Sequence, residues 1–411
     1  MGEWQGRQLE IDVTNVAHGG IAVGRHEGRV VFVSDAIPGE RVVARVSDDS
    51  KAKFWRAETV SVVTPSEHRQ EHVWSAASVD RDPDDRAGGA EFGHIRLAHQ
   101  RELKRQVLTD ALQRMAGIDS DVVVEGIPGE ADGTGWRTRL RLHVAEAGTP
   151  GPYAARSHRV IRVADVPLAT PEVAAITPLD ELFPGSTHID VIAPSVGNAY
   201  VLAGGEKSKP KRHVITEQVG DRTFRLDVHG FWQVHRSAAQ TLTSAVQDAI
   251  DPERFDPQAA NHDLYGGVGL LAAAVGDRFG NRTRITTVES DSLATDHAAE
   301  NLSEWLGASA ITSRVDRYLH QLTKAGTRLT GATVVLDPPR SGAGRAVVDS
   351  LTALEPSQLV YVACDPVALA RDLGLLQERG YELTRLRAFD LFPNTHHVEA
   401  VATLVRTDAA Q

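Results

Sequence analysis

Short apolar strands alternate with helical segments after about residue 226, and this rhythm constrains the fold of the chain more than any other feature. Strands are predicted at 260–265, 284–289, 332–337 and 359–364, and helices at 237–250 and 292–306. This alternation is typical of a doubly wound α/β sheet, so residues 226–411 are predicted to form one α/β domain. Residues 400–405 are predicted to add a strand at the edge of that sheet.

The strand at 359–364 ends on Cys364, the only cysteine of the 411-residue chain, and Pro366 then opens a helix. Open α/β sheets bind ligands at the carboxyl ends of their strands, and the amino end of a helix favours a thiolate. Cys364 is therefore a candidate nucleophile, although a free thiol on such a strand can also be a buried packing residue. One cysteine excludes an intramolecular disulfide and a metal site built from cysteines.

A glycine-rich turn joins the 260–265 strand to the next helix and reads Asp-Leu-Tyr-Gly-Gly-Val-Gly over residues 263–269. Glycines let backbone N–H groups approach a ligand, and the helix amino end favours its negative groups. Glu289 follows about twenty residues later at the next strand end, where a carboxylate can bind ribose hydroxyls. We expect a nucleoside cofactor, and the Gly-Gly-x-Gly spacing favours S-adenosylmethionine over a dinucleotide.

Two more carboxylates follow or precede apolar strands. Asp337 ends the 332–337 strand and is followed by Pro338 and Pro339, which restrict the backbone and would hold Asp337 in the crevice. Glu399 precedes the 400–405 strand, and a carboxylate beside a thiol would supply a base. A plain strand-to-loop transition and a surface carboxylate are the simpler interpretations of these two positions.

Residues 1–63 are predicted to form a small closed β-barrel, because short alternating strands are separated by glycine-rich turns. Barrels of this kind often bind single-stranded nucleic acid. Lys51, Lys53 and Trp55 interleave charge with an aromatic ring, which makes them candidate RNA contacts. Alternatively, Phe54 and Trp55 fill part of the barrel core and the lysines are solvated.

Residues 64–225 are predicted to form a β-rich central domain that includes one long helix at about 97–116, ended by Gly117. Between residues 136 and 162 lie six arginines and one glutamate. Alternation places Arg137, Arg139 and Arg141 on one face of a strand, which suggests a surface that follows RNA phosphates. An ordinary solvated strand face is the alternative. A short basic run adds Lys207, Lys209, Lys211 and Arg212.

These motifs together resemble the S-adenosylmethionine-dependent RNA 5-methyluridine (uracil-C5) methyltransferases. Asp-Leu-Tyr-Gly-Gly-Val-Gly, Asp-Pro-Pro-Arg-x-Gly, Cys-Asp-Pro and Phe-Pro-x-Thr-x-His-Val-Glu occur here in that family's order, and residues 231–234 resemble its Phe-x-Gln-Val motif. The resemblance covers nearly the whole chain. It implies a Rossmann-like class I methyltransferase domain preceded by an OB-like TRAM barrel that binds RNA.

The resemblance also implies residue roles. Cys364 matches the nucleophile that adds to C6 of uridine, and Glu399 matches the base that removes the C5 proton. The residues matching cofactor contacts are Gln233, Tyr265, Gly266, Glu289, Asp316 and Asp337. The target base must leave its stack to reach the thiol, so single-stranded or loop RNA is expected, with ribosomal RNA favoured over transfer RNA by the barrel.

The chain departs from the family pattern twice. Many members carry a four-cysteine iron–sulfur site, whereas here residues 86–90 and 166–168 occupy the corresponding positions without cysteine, so no cluster is expected. Asp365 stands where the family usually has Asn. A carboxylate beside the thiol would raise the thiol pKa unless Asp365 is turned away or paired.

The formal net charge of −11 argues against a generally basic surface but allows a local RNA-binding face. The sequence shows no secretory pattern and no apolar run of membrane-spanning length, so we expect a cytoplasmic monomer that binds RNA, not DNA or membranes. Two other hypotheses remain at this stage. One is an RNA-binding protein with an inactive methyltransferase domain, and the other is a nicotinamide oxidoreductase.

Overall fold

The computed structural model describes residues 3–129, 131–205 and 212–407. The amino-terminal part forms a closed five-stranded barrel of β1 (Gln8–Ala17), β2 (Ile21–His26), β3 (Arg29–Ser34), β4 (Arg41–Asp48) and β5 (Phe54–Thr64). The strands pair in the order β1-β2-β3-β5-β4, and only the β3–β5 pair is parallel. Buried and exposed residues alternate along β1, so one apolar set fills the barrel. The predicted barrel is confirmed.

An irregular segment with short 3-10 turns at Ser75–Ala77 and Pro83–Asp85 leads from the barrel to a long helix, α1 (Leu97–Ala116). The helix has the bounds that the sequence predicts. It ends because Gly117 adopts a left-handed φ of 65° and its N–H donates to the carbonyl of Gln113.

The central region holds a four-stranded sheet in the order β10-β9-β7-β8, a short helix and a β-hairpin. Its elements are β6 (Val124–Glu125), β7 (Arg139–Val144), β8 (Pro150–Gly151), α2 (Pro171–Ile176), β9 (His188–Ile192), β10 (Tyr200–Gly204), β11 (Val214–Val219) and β12 (Arg222–Asp227). The β11–β12 hairpin packs through Phe224 and Leu226 into a core that it shares with the helices Ala238–Ala249 and Leu270–Phe279. Three members of the predicted basic run, Lys207, Lys209 and Lys211, lie outside the described residues.

The carboxyl-terminal half alternates strands and helices as predicted. The strands are β13 (Asn261–Leu264), β14 (Ile285–Glu289), β15 (Ala308–Thr312), β16 (Thr333–Leu336), β17 (Gln358–Ala363), β18 (Tyr381–Phe389) and β19 (Glu399–Arg406). The helices are α3 (Ala238–Ala249), α4 (Leu270–Phe279), α5 (Ser292–Asn301), α6 (Val315–Lys324), α7 (Gly344–Ala353) and α8 (Pro366–Gln377). These strands and β6 form an eight-stranded sheet in the order β15-β14-β13-β16-β17-β19-β18-β6.

The strands from β15 to β17 are parallel, and β19 pairs antiparallel with both β17 and β18. The prediction that residues 400–405 form an edge strand is wrong, because β19 lies inside the sheet with seven of its eight residues buried. Its continuous apolar run fits this interior place, since a strand covered on both faces needs no polar alternation.

Helices cover both faces of the sheet. One core contains residues of α1, α6, α7 and α8, and the other contains residues of α3, α4 and the β11–β12 hairpin. Because α1 and β6 join the core and the sheet of the carboxyl-terminal α/β half, the packing crosses the domain boundary that we predict near residue 225. In the part of the chain that the structure describes, each helix falls short of the length or the hydropathy needed to cross a membrane.

Candidate active site

The predicted site residues meet where strand order reverses in the sheet. β13 and β16 are neighbours, while the chain continues from β13 to β14 on one side and from β16 to β17 on the other. Glu289 ends β14, and Asp337 and Cys364 follow β16 and β17. Ligands of open α/β sheets bind at this kind of switch point. The crevice at these strand ends is therefore the candidate active site.

Cys364 and Glu399 are brought together by antiparallel pairing. Ala363 of β17 lies opposite Ala400 of β19, so the residues one step further, Cys364 and Glu399, emerge side by side. Glu399 is 4% exposed, and Cys364 is partly buried. Cys364 and Glu399 are distant in the sequence, and the antiparallel pairing of β19 with β17 makes them neighbours.

The glycine-rich turn after β13 has a tightly fixed backbone. Tyr265 has a φ of 62°, and a Cβ at Gly266 would lie only 1.9 Å from Oγ1 of Thr287. The N–H of Gly267 donates to Glu289 at 3.2 Å, which joins the turn to the end of β14. A ligand can approach this backbone closely because side chains are absent there.

Asp263 supports the turn from below. It is fully buried, and its Oδ2 accepts hydrogen bonds from the N–H of Ala272 at 3.1 Å and from Oγ1 of Thr287 at 3.2 Å. Its Oδ1 has no hydrogen-bond partner among the described residues. The sequence motif includes Asp263, but the sequence alone does not indicate its function. An unpaired buried oxygen under an open glycine turn fits a nearby ligand that brings donors.

The remaining cofactor candidates surround this turn in different ways. Asp316 lies in the first turn of α6 and pairs with Arg314 at 2.9 Å, and its charge acts on the Tyr265 hydroxyl. Burial raises the pKa of the Tyr265 hydroxyl to about 12, with Asp316 adding to the shift. Gln233 lies between β12 and α3, where the next residue, Val234, accepts from the N–H of Thr138 at 2.8 Å. This bond anchors the Gln233 segment to the central region.

Acidic groups dominate the electrostatics of the crevice. Burial raises the pKa of Asp263 and of Asp337 to about 7. Burial also raises the pKa of Glu399 well above its ordinary value, and the charge of Asp337 adds to that shift. The buried Glu399 and the partly buried Asp337 interact electrostatically and favour a shared proton, because ionising both is costly.

The thiol of Cys364 is held in its neutral form. Burial raises its pKa to about 12, and the charges of Glu399 and Asp337 add to the shift. The expectation that the helix amino end favours a thiolate is therefore outweighed by burial and by the carboxylates. The opposing cation is Arg340, whose charge lowers the thiol pKa. Arg340 belongs to the Asp-Pro-Pro-Arg motif, but the sequence alone does not indicate its function.

The loop that carries Asp337 and Arg340 is fixed by a buried carboxylate of α8. Oδ2 of Asp372 accepts from the N–H of Ala343 at 2.7 Å, from that of Gly344 at 3.1 Å and from the hydroxyl of Tyr361 at 2.7 Å. Two backbone donors of the turn and the hydroxyl of Tyr361 on β17 thus share one oxygen, and this network fixes the loop that carries Arg340.

The loop between β18 and β19, which leads to Glu399, is fixed by α1. Lys104 and Asp390 are both fully buried and form an ion pair at 2.5 Å, while Lys104 also donates to the carbonyl of Phe392 at 3.0 Å. Gln100 and Asn394 exchange two hydrogen bonds of 2.8 Å. These contacts make the long helix part of the support for the candidate base.

Asp365, the residue that departs from the family pattern, is paired on both oxygens. Oδ1 caps α8 by accepting from the N–H groups of Val367 at 3.0 Å and Ala368 at 2.8 Å. Oδ2 lies 2.8 Å from Nε2 of His18, which comes from the barrel. Its effect on the thiol pKa is the smallest of the named charges, which agrees with this pairing.

The candidate RNA contacts of the barrel differ from each other. Lys51 and Lys53 are exposed in the turn between β4 and β5. Trp55 is only 3% exposed and packs in the barrel core against Trp4, at a ring distance of 5.0 Å. The interpretation of Trp55 as a stacking surface therefore does not agree with its position, since the alternation of β5 turns it inward.

The arginines of the central region are largely engaged. Arg139 donates to the carbonyl of Gly230 at 2.7 Å, and Arg141 forms two hydrogen bonds with Asp190 at 2.6 and 2.7 Å. The charges of Glu91 and Arg340 both act on the guanidinium of Arg137, with Glu91 raising its pKa and Arg340 lowering it. Further pairs in this segment are Arg156–Glu58, Arg159–Asp85 and Arg162–Asp180. Acidic residues from distant segments thus balance much of the positive charge.

Packing holds the region around residues 86–90, which lacks the cysteines of the four-cysteine pattern described in the sequence analysis. Arg86 is 1% exposed, and its guanidinium donates to Asp35 of the barrel at 2.8 Å and to the carbonyl of Val79 at 2.8 Å. Trp74 and Trp136 lie in one apolar cluster beside it. A cavity of about 340 Å³ lies next to Gly88, Gly89 and residues 166–169.

The doubly wound sheet, the glycine turn after its first strand and the carboxylates at the switch point define a Rossmann-like methyltransferase fold. The family model described as tRNA (Uracil-5-)-methyltransferase matches residues 303–407, and the TRAM domain model matches residues 3–60. The chain belongs to the S-adenosylmethionine-dependent RNA 5-methyluridine methyltransferase family. It is an RNA methyltransferase, and this membership disagrees with the nicotinamide oxidoreductase hypothesis.

The relatives match over nearly their whole length. The chain is 35% identical to an RNA methyltransferase of Streptomyces avermitilis named uncharacterized, over 97% of this chain and 98% of that protein. It is 36% identical to one of Streptomyces coelicolor, over 97% and 93%. The fold resembles that of Pyrococcus abyssi tRNA (uracil-54, C5)-methyltransferase in complex with S-adenosyl-L-homocysteine. That likeness has a TM-score of 0.70 and 20% identity, and covers 97% and 99% of the two chains.

Proposed function

We propose that this enzyme methylates C5 of uridine in RNA through a covalent bond between Cys364 and C6 of the base. The observation that carries the proposal is the meeting of one thiol with Glu399 and Asp337 beside a glycine turn that fits a nucleoside cofactor. C5 of uridine is a poor nucleophile, so a group that adds to C6 is needed to activate it.

The chain's own residues would act in sequence. Addition of the Cys364 thiolate to C6 moves the C5–C6 π electrons towards the C4 carbonyl, and C5 becomes an enolate carbon. Bound S-adenosylmethionine supplies the methyl group that C5 then takes. Glu399 removes the proton from C5, the C5–C6 double bond forms again, and the thiolate leaves. Glu399 suits this step because burial makes its carboxylate more basic than in water.

Deprotonation of the thiol is the demanding step, because the thiol pKa is raised to about 12. Arg340 is the nearby cation that favours the thiolate. The raised pKa of Glu399 makes it a competent proton acceptor within the same crevice. We assign Arg340 to activation of Cys364, whose proton leaves to water, and Glu399 stays ionised for removal of the C5 proton.

The cofactor would lie along the glycine turn. We propose that Glu289 binds the ribose hydroxyls, that the backbone at Gly266 lies against the cofactor, and that Asp337 lies near its amino acid part. Tyr265 and Asp316 would border the adenine, and Gln233 would approach from the central region. The hydrogen bond from Gly267 to Glu289 supports this arrangement, because it fixes the carboxylate at the turn.

The substrate is proposed to be a uridine in a single strand or loop, because a stacked base cannot reach a thiol at the bottom of a crevice. Lys51 and Lys53 on the barrel and Arg137 near Arg340 are the proposed RNA contacts. The TRAM barrel favours ribosomal RNA over transfer RNA as the target. We further propose that the enzyme is cytoplasmic and monomeric. Light scattering of the purified chain would test the monomeric state.

Trapping with RNA that contains 5-fluorouridine tests the mechanism. Fluorine replaces the proton that Glu399 would remove, so a methylated adduct should persist on the protein and appear as a slower band on a denaturing gel. Cys364→Ala should abolish the band, while Arg345→Gln, an exposed change on α7, should preserve it. An adduct that survives in Cys364→Ala would refute the proposed nucleophile.

Mapping of 5-methyluridine in cells with and without the gene tests the substrate. Loss of the nucleoside from ribosomal RNA alone is the expected result, and loss from transfer RNA alone would overturn the preference. An RNA-binding protein with an inactive domain would instead change neither RNA. That alternative also predicts no heat of S-adenosylmethionine binding in calorimetry.

A further inference from the structure

The barrel contacts the residue that follows the candidate nucleophile. His18 lies in the turn between β1 and β2, and its Nε2 is 2.8 Å from Oδ2 of Asp365, a residue 347 positions away in the sequence. The other oxygen of Asp365 caps α8. Asp365 is therefore held between a helix of the methyltransferase fold and a side chain of the barrel.

The turn that carries His18 is packed against the methyltransferase fold. A Cβ at Gly20 would come within 2.5 Å of Cβ of His396 and 2.7 Å of the ring of Phe92. Val16 and Ile37 of the barrel share an apolar cluster with Phe92 and with residues of α1. Such close packing gives the contact between His18 and Asp365 a fixed geometry, although half of the His18 side chain is exposed.

The charge of Asp365 acts on both neighbours. The hydrogen bond to Asp365 raises the pKa of His18, although burial opposes the shift. The pairing with His18 helps to lower the pKa of Asp365 against the effect of burial. When the ring of His18 is protonated, the two residues form an ion pair at 2.8 Å with little net charge next to the thiol. Without the imidazolium, the Asp365 carboxylate would oppose formation of the Cys364 thiolate.

We propose that His18 is a positioning residue for Cys364: its protonated ring offsets the charge of Asp365, so that the docked barrel sets the reactivity of the thiol. The role of His18 in catalysis rests on the proposed function, but its effect on the reactivity of the Cys364 thiol does not. It also explains how this chain accommodates Asp where the family usually has Asn.

Other charges near the pair stay the same in a comparison of variants. The groups around the His18 turn are Arg25 of the barrel, Asp110 and Arg114 of α1, and Glu91 and His396 beside Gly20. The groups that act on the thiol are Glu399, Asp337 and Arg340. A change at His18 alone therefore isolates its contribution.

The test uses the full-length protein and measures the rate of alkylation by iodoacetamide between about pH 6 and pH 9. Cys364 is the only cysteine, so the readout is specific to it. In the natural chain, the logarithm of the rate should rise with a slope below one while His18 loses its proton. In His18→Gln the part of the bend that belongs to His18 should disappear, while any bend from ionisation of Asp337 should remain in both proteins. At about pH 6 the variant should react roughly threefold more slowly, because a tenfold loss of thiolate per pKa unit is partly offset by higher nucleophilicity. The two rates should converge at high pH.

Three further variants make the result specific. In an Asp365→Asn background, His18→Gln should have no effect at pH 7.5. His18→Lys supplies a cation over the whole range and should restore the rate at low pH without the part of the bend that belongs to His18. His320→Gln, an exposed change on α6, should leave the profile unchanged. Superimposable profiles of the natural chain and His18→Gln would overturn the inference. A bend that His18→Gln reduces, in a protein that makes no 5-methyluridine, would instead refute only the proposed function.

Discussion

The thiol of Cys364 lies among three carboxylates and one guanidinium, and this imbalance sets its chemistry. Burial, Glu399 and Asp337 keep the thiol protonated, while Arg340 is the cation that favours the thiolate. A nucleophile that is neutral at rest resists oxidation and unwanted alkylation, because thiolates are the reactive species. The same arrangement makes the thiol sensitive to the loss of a single neighbouring charge.

Arg340→Gln should therefore reduce the reactivity of Cys364. The change removes the positive charge that lowers the thiol pKa, and each pKa unit gained reduces the thiolate population about tenfold. We expect slower alkylation at pH 8 and a lower single-turnover methylation rate. Arg345→Gln on the same loop–helix segment serves as the matched control. Equal alkylation rates in Arg340→Gln and the natural chain would show that Arg340 does not act on the thiol.

The candidate base should produce the acidic limb of the activity profile. Glu399 must be ionised to take the C5 proton, and burial together with Asp337 raises its pKa. Activity should thus rise with pH through that raised pKa. Asp337→Asn removes the neighbouring charge and should move the acidic limb to lower pH by about one unit, in addition to lowering the rate. The measurement is kcat/KM against pH for both proteins. An acidic limb at the same pH in both would contradict the coupling.

The element that best links fold and site is α1. The helix lies outside the 226–411 segment, yet its Lys104 and Gln100 hold the loop that leads to Glu399. Its apolar side packs in the same core as α8, which follows Cys364. One helix therefore supports both candidate catalytic groups, one through a polar network and the other through apolar packing.

Lys104→Met should destabilise the protein strongly. It leaves the fully buried carboxylate of Asp390 without its 2.5 Å partner, and breaking a buried ion pair costs about 3–5 kcal/mol. Arg101, 3.2 Å from Asp390, should keep the loss near the lower end of that range. The free energy of unfolding in urea is the measurement. Lys104→Met combined with Asp390→Leu should recover much of the loss, and no recovery would point to a packing effect of Lys104 instead.

At the scale of the whole molecule, stability should carry an acid-sensitive contribution from the central sheet. His262 of β13 is buried, and desolvation lowers its pKa to about 4. Both ring nitrogens are engaged, one with the carbonyl of Ala260 at 2.8 Å and the other with the hydroxyl of Tyr318 at 2.9 Å. The unfolded chain binds a proton at this histidine near pH 6.5, and the folded chain does so only near pH 4.

His262 should therefore contribute stability that is lost as the pH falls from about 6.5 to about 4, at about 1.4 kcal/mol per pH unit. Asp263 and Asp337, with their pKa values raised to about 7, act in the opposite direction. Because Asp263 and Asp337 are present in both proteins, a comparison of the natural chain with His262→Gln isolates the contribution of His262. Between about pH 6.5 and pH 4, the free energy of unfolding of His262→Gln should fall less steeply than that of the natural chain, by about 1.4 kcal/mol per pH unit. The curve of His320→Gln should match that of the natural chain. Parallel stability curves for His262→Gln and the natural chain would exclude the effect.

Local patterns predict the parts of this molecule that depend on local chemistry. The alternation of strands, the glycine after α1 and the strand–turn–helix motif at residues 263–269 specify conformation within a few residues of themselves. Contacts between distant segments are different. The interior place of β19, the ion pair of Arg141 with Asp190 and the contact of His18 with Asp365 depend on which segments meet. Trp55 shows the same limit, because charge interleaving alone does not say which face of β5 points inward.

The interior position of β19 has a consequence for synthesis of the protein on the ribosome. β18 is made before β19, yet β19 separates it from β17 in the sheet. The emerging chain therefore cannot close this part of the sheet until residues 399–406 have been made, and β17 keeps an unpaired apolar edge until then. We expect incomplete nascent chains to depend on chaperones that cover such edges, and Glu399 to reach Cys364 only after β19 has paired with β17.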